Sequence, residues 1–312
     1  MGSSTEIGSP TAAGKNPATA ASVPFAVPSS EPCRHDPRPI KIIRPPSFSI
    51  ATFVAGFVVL THYADLLYEL SLFRLTVRYK QSLLGWAWAV LQPLALMSVY
   101  TVIFTRVTKI ATGGTPYPIF LLSALLPWTF FSSSVINAVC GMTAYSNLIT
   151  KMYFPREIIP FSYLSAAFAD FCIACVILAW LIVHYDVALS WNILYAFPVM
   201  LLLMAFAAAV ALFFSAFQVR FRDIGLAMPV LLQVWMFTTP VVYSLQSVPA
   251  RFRRLYLLDP VAGLIESFRS VVVYRTHPDF TVLTYSAVIT LGCFVVGYVY
   301  FKAAEATMAD IL

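Results

Sequence analysis

Between Ala111 and Thr150 the chain carries no Asp, Glu, Lys or Arg. A helix needs about 20 predominantly apolar residues to cross roughly 30 Å of hydrocarbon. Charge-poor stretches of that length recur through the rest of the chain. Hydrophobic residues make up 60% of it and charged residues 11%, whereas a soluble domain carries about 25% charged residues. The sequence therefore reads as an all-α integral membrane protein that crosses the bilayer repeatedly.

The formal net charge is +6, but its basic residues are scattered over loops between apolar segments. That is how membrane proteins mark their cytoplasmic loops, so no nucleic-acid partner is expected. Cys172 and Cys175 form a C-x-x-C, yet they lie in "DFCIACVILAW", which supplies no further ligands for a metal or redox site. "GSPTAAGKN" resembles a phosphate loop only loosely. Its first Gly is one residue too far from Gly14-Lys15, and Asn16 stands where a magnesium-binding Ser or Thr belongs. No paired carboxylates, metal cluster or nucleophile–base set is present, so the chain is expected to do no chemistry on a substrate and to hold no metal or cofactor of its own.

Residues 1–46 contain nine prolines and few aromatics. Such a segment cannot bury enough apolar surface to offset its ordering entropy, and it reads as a disordered tail. Residues 47–85 form an interfacial unit. Ser47 to Leu60 is too short to span, and "HYADLLYELSLFRLTVRYK" follows it. In that segment Leu66, Leu70, Phe73 and Val77 fall on one helical face, with Asp65 and Glu69 early and Arg74, Arg78 and Lys80 late. This predicts an amphipathic helix lying in the membrane interface; a soluble helix packed on a partner is the alternative.

Residues 86–312 are expected to hold six spans: Trp86–Thr105, Tyr117–Gly141, Ser162–Tyr185, Ile193–Phe217, Ile224–Val242 and Thr281–Phe301. Between the last two, residues 251–275 are apolar but interrupted by Asp259, Pro260, Glu266 and Arg269. A lipid-facing helix bearing those groups would be costly. A re-entrant helix pair on the outer side, broken near Asp259-Pro260, fits better. Loop charge places both termini in the cytoplasm. Arg251, Arg253, Arg254, Arg269 and Arg275 then fall outside, against the usual bias.

Five stretches stand out in order: "RYKQSLLGWAWAVLQPL", "PWTFF", "SNLITKMYFPREIIP", "QVRFRDIG" and "LDPVAGLIESFR". Together they resemble the membrane subunits of type-2 ABC exporters, in particular those that export bacterial O-antigen and related cell-surface polysaccharides. The resemblance runs from about Tyr63 to Leu312 and implies a permease in the bacterial inner membrane that works as a homodimer. It also implies two copies of a separate ATPase chain that bind the ATP and magnesium, and a polysaccharide substrate on a polyprenyl or other lipid anchor. Capsular polysaccharide, teichoic acid or a small lipophile are alternative cargoes, and a membrane glycosyl- or acyltransferase is the rival from another class.

The loop at residues 146–160 is similar to the family's coupling helix, which docks on the ATPase. Its candidates are Lys151, Met152, Tyr153, Phe154, Pro155, Arg156 and Glu157. Aromatic residues there can fill a partner's pocket, with charges at the rim. Pro155 sets the angle into the third span. Arg220, Arg222 and Asp223 either make a second ATPase contact or simply anchor the loop, with Asp223 capping the fifth span. Arg74, Arg78 and Lys80 are placed to meet an anionic lipid head or bulk lipid phosphate. Tyr100, Phe104, Trp128, Phe130 and Phe131 are either channel aromatics for a passing glycan or part of an ordinary aromatic belt. Asp259, Pro260, Glu266 and Arg269 form a candidate outer gate. Asp170, the one acid inside an apolar span, is a functional candidate by its cost alone.

Overall fold

The computed structural model describes residues 61–80, 82–106, 115–146, 151, 154–188, 190–245, 248–249, 251, 256 and 258–311. The tail at 1–46, the segment at 47–60, Met152 and Tyr153 lie outside them. The described residues form helices α1 (Ala64–Tyr79), α2 (Ala87–Arg106), α3 (Tyr117–Ala144), α4 (Ile158–His184), α5 (Ala196–Arg220), α6 (Ile224–Thr238), α7 (Pro260–Val272) and α8 (Phe280–Ile311). A 3₁₀ turn, Trp191–Tyr195, leads into α5. No strand occurs among the described residues.

Five helices are long and apolar enough to cross a membrane: α2, α3, α4, α5 with its leading turn, and α8. The chain is a multi-pass membrane protein. The expected fifth span is shorter than its apolar run. It ends at Thr238 after 15 residues, about 22 Å at 1.5 Å per residue. Thr239 is extended, with φ −83° and ψ 139°, because the following Pro240 disfavours helix at the residue before it.

Helix α3, the core of the charge-free run, is the central element and packs against α2, α4, α5, α6 and α7. Its apolar side chains are buried nearly all round, from Ile119 to Met142. Helices α5 and α8 run against each other closely enough that a Cβ at Gly297 would lie 2.5 Å from the carbonyl oxygen of Ala209. Small residues at crossings allow such backbone approach in lipid, where apolar burial does not drive helices together.

The interface helix packs through Ser71, Arg74, Leu75 and Tyr79, whereas Phe73 and Val77 of the expected apolar face are exposed, as suits an amphipathic helix lying in a membrane interface.

Candidate functional site

One end of the bundle carries the residue 146–160 loop, the turn between α5 and α6, and the foot of α8. Pro155 opens a tight turn there, with the Ile158 N–H donating to the Pro155 carbonyl at 3.2 Å. Glu157 follows as the residue before α4. Its side chain turns inward, 1% exposed, and its Oε2 lies 2.5 Å from Lys302 Nζ on α8. Burial pushes the Glu157 carboxyl above the usual carboxylate range, and the Lys302 ammonium opposes that shift. Lys302 also pairs with Glu305 at 2.9 Å. Glu305 accepts from the Arg156 backbone N–H at 3.2 Å, and its carbonyl accepts from the Arg156 guanidinium. Phe154 packs against an apolar cluster that includes Met142, Leu212, Phe301 and Met308.

Part of the expected docking loop thus faces its own bundle, with Phe154 in an apolar cluster and Glu157 paired to Lys302. Lys151, Arg220, Phe221, Arg222 and Asp223 are exposed at the same end. Asp223 stands at the N-cap position of α6 but makes no capping bond. Gln218 holds that turn instead, accepting from the Gly225 N–H at 2.5 Å and donating to the Arg222 carbonyl at 3.1 Å.

The basic residues of α1 separate into two groups. Arg74 is buried; its Nε donates to Ser162 Oγ at 2.7 Å. Its guanidinium lies 3.3 Å from the centre of the Tyr163 ring and 4.7 Å from that of Tyr145. It is enclosed in aromatic faces and not available to a lipid head. Arg78 stays half exposed and pairs with Asp170, which also accepts from the Tyr79 hydroxyl at 2.8 Å. Burial, then the Asp170 carboxylate, pushes the Tyr79 phenol up to about 12. Lys80 is exposed. Asp170 is therefore the seat of α1 on α4. Beside it lies a cavity of about 420 Å³, lined by Arg78, Tyr79, Trp88, Gln92, Ser133 and Asp170 among others.

The aromatic candidates divide similarly. Phe131 stacks on Phe206 and meets Trp235 edge-on. Phe130 packs on Phe168 and Phe171, and Trp128 on Phe131. All three are buried inside a single chain, so they fill the core of α3, and only Phe130 also borders the cavity beside Asp170. Tyr100 and Phe104 are half-buried and lead to Tyr117.

At the other end, the candidate outer-gate residues converge on the broken end of α6. Asp259 caps α7, accepting from the Val261 N–H at 3.0 Å, and its Oδ2 accepts from Trp235 Nε1 and Thr239 Oγ1. Pro260 is the first helical residue, where its missing N–H costs nothing. Arg269 is 0% exposed. It donates to the carbonyls of Pro240 and Val241 at 2.9 Å each and to Glu266 at 2.8 Å, and lies 4.0 Å from the centre of the Phe120 ring. Tyr117 completes the set by donating to the Val242 carbonyl at 3.1 Å. Three carbonyls of the non-helical segment after α6 are thereby satisfied, as apolar surroundings require. Lys302, Glu305 and Tyr117 carry no sequence signal of these roles, since each acts through a partner distant in the chain; Gln218 acts locally, within the "QVRFRDIG" stretch.

A profile of the ABC-2 type transporter family matches residues 66–273. The chain is similar to the O-antigen export system permease protein RfbA of Klebsiella pneumoniae, 33% identical over 163 residues that cover 51% of this chain and 61% of that protein. It is also similar to the protein of the same name from Myxococcus xanthus, 31% identical over 166 residues, covering 53% of this chain and 63% of that one. The chain thus spans about six-tenths of the length of these relatives. A family match running from the interface helix through α7, over well more than half of the 312 residues, settles the relationship: the chain belongs to the ABC-2 type transporter family.

Proposed function

We propose that the chain is the transmembrane subunit of an ATP-driven exporter that moves a polysaccharide, carried on a lipid anchor, out of the cytoplasm across a bacterial inner membrane. Two copies form the conduit, and each engages one copy of a separate ATPase chain that binds ATP and magnesium. The reading rests on similarity to the O-antigen export permeases, and the observation that carries it is the exposed charge at one end of the bundle. Lys151, Arg220, Arg222 and Asp223 stand there in two loops joined to three spans. A nucleotide-driven partner needs such a handle. That end then faces the cytoplasm, together with the chain termini.

Arg78 and Lys80 are the basic residues left to meet an anionic lipid head, since Arg74 is enclosed. The chain itself acts by binding and moving, not by bond chemistry.

The test is deletion of the gene together with co-purification. Removing it should strip the glycan from the cell surface and leave lipid-linked glycan inside. The tagged chain should retain a separate ATPase chain, and charge reversal at Lys151 and Arg222 should weaken that retention. An unchanged surface glycan, or a chain that retains no ATPase, refutes the reading.

A further inference from the structure

Burying a carboxylate and an ammonium together costs desolvation that an apolar pair would avoid, so an ion pair of this kind is weak support for stability. What it does well is fix one arrangement of the elements it joins. Glu157 and Lys302 are such a pair, and they do not stand alone. Lys302 holds Glu305, and Glu305 returns to the Arg156 N–H beside Glu157. The contacts close a ring between the end of the 151–157 loop and the foot of α8. Phe154 packs next to it against an apolar cluster to which α8 contributes Tyr298, Phe301 and Met308. From there α8 presses on α5 through the close approach of Gly297 to the Ala209 carbonyl.

We infer that this ring makes α8 a second output of the loop, so that a push on residues 154–157 moves the foot of α8 together with that of α4. The inference rests on the proposed docking of an ATPase at the loop. Lys302 and Glu305 are then positioning residues: they touch neither ATPase nor cargo, and they act through the loop's attachment to the last span. A loop joined only to the spans it connects would move α3 and α4. A loop joined also to α8, and through it to α5, moves those helices with them.

The test uses the full transporter reconstituted with its ATPase and compares glycan moved per ATP hydrolysed. Lys302→Met and Glu305→Gln should leave the ATPase bound and hydrolysing while lowering that ratio about tenfold, within the range of ordinary coupling free energies. Amide exchange in residues 298–308 should rise in the same variants, read on the assembled transporter without nucleotide. Exchanging the pair, Glu157→Lys with Lys302→Glu, should restore part of both. If Lys302→Met alone fails to assemble, Glu157→Gln with Lys302→Met removes the orphaned charge and should show the same low ratio.

A wild-type ratio in these variants overturns the inference, whether or not exchange has risen, because the ring would then only stabilise the fold. A wild-type chain that binds no ATPase overturns the loop assignment beneath it, and that outcome is seen before any substitution is made.

Discussion

Replacing Arg269 with Leu tests how the broken end of α6 is held. The guanidinium makes two hydrogen bonds to the Pro240 and Val241 carbonyls and one to Glu266. Leucine fills much of the space, so the main loss is two backbone acceptors with no donor in an apolar setting. Each unsatisfied group costs about 1–3 kcal/mol. The variant recovers part of that because no charge need be desolvated, and Glu266 keeps some exposure with which to hydrate. The net expectation is a loss of about 3 kcal/mol, somewhat over a hundredfold in the folding equilibrium at about 1.4 kcal/mol per tenfold. Arg269→Lys keeps a charge but not the planar fork, and should fall between the two. Unfolding in mixed detergent micelles, followed by circular dichroism against the fraction of denaturing detergent, measures the difference. A Leu variant within about 0.5 kcal/mol of wild type, the scatter of ordinary surface changes, would mean that Arg269 does not hold the break.

The crossing of α5 and α8 makes a sharper steric prediction. A methyl at Gly297 meets a backbone oxygen, which cannot swing aside, so Gly297→Ala should cost about 1–3 kcal/mol in the same assay, whereas Gly292→Ala, with open space around it, should not. At the seat of α1, the exposed Arg78–Asp170 pair contributes at most about 1 kcal/mol, and the buried Tyr79 hydroxyl adds about as much again. Asp170→Ala should therefore loosen α1 without unfolding the bundle. Proteolysis between residues 80 and 86 should speed up, and Asp170→Asn should retain most of the protection; equal cleavage of wild type and Asp170→Ala would refute that seat.

The spans were legible because lipid leaves the chain so little choice: an apolar run of sufficient length must become a helix, and α2, α3, α4 and α8 begin within a few residues of where the charge pattern puts them. The break near Asp259-Pro260 was legible from local chemistry, an acid suited to capping followed by a residue suited to the first helical turn. Long-range polar pairing was not. Nothing adjacent to Arg74 announces Ser162 and Tyr163, and nothing adjacent to Glu157 announces Lys302. The same gap misled the reading of charge. Arg269 was counted with the arginines of an outer loop, against the usual bias, yet it is a buried donor to backbone carbonyls. Aromatic residues were ambiguous for a related reason. A Phe suits a core and a glycan path equally well, and only the packing of α3 assigns Phe131 to the former.

Four charged side chains of this bundle, Arg74, Glu157, Asp170 and Arg269, follow one rule. Arg74 joins α1 to α4, and Asp170 joins α4 back to Arg78 and Tyr79. Glu157 joins the loop to α8, and Arg269 joins α7 to the end of α6. Each sits where two elements meet whose apolar faces would not by themselves select a register, because in lipid an apolar contact with a neighbouring helix is worth little more than one with a hydrocarbon tail. Directional bonds select it instead, and each fixes one arrangement of its pair. A protein that must switch between arrangements gains from that property. Breaking such a bond has a definite cost, and a partner that supplies that cost at one loop can move whole helices without melting any of them.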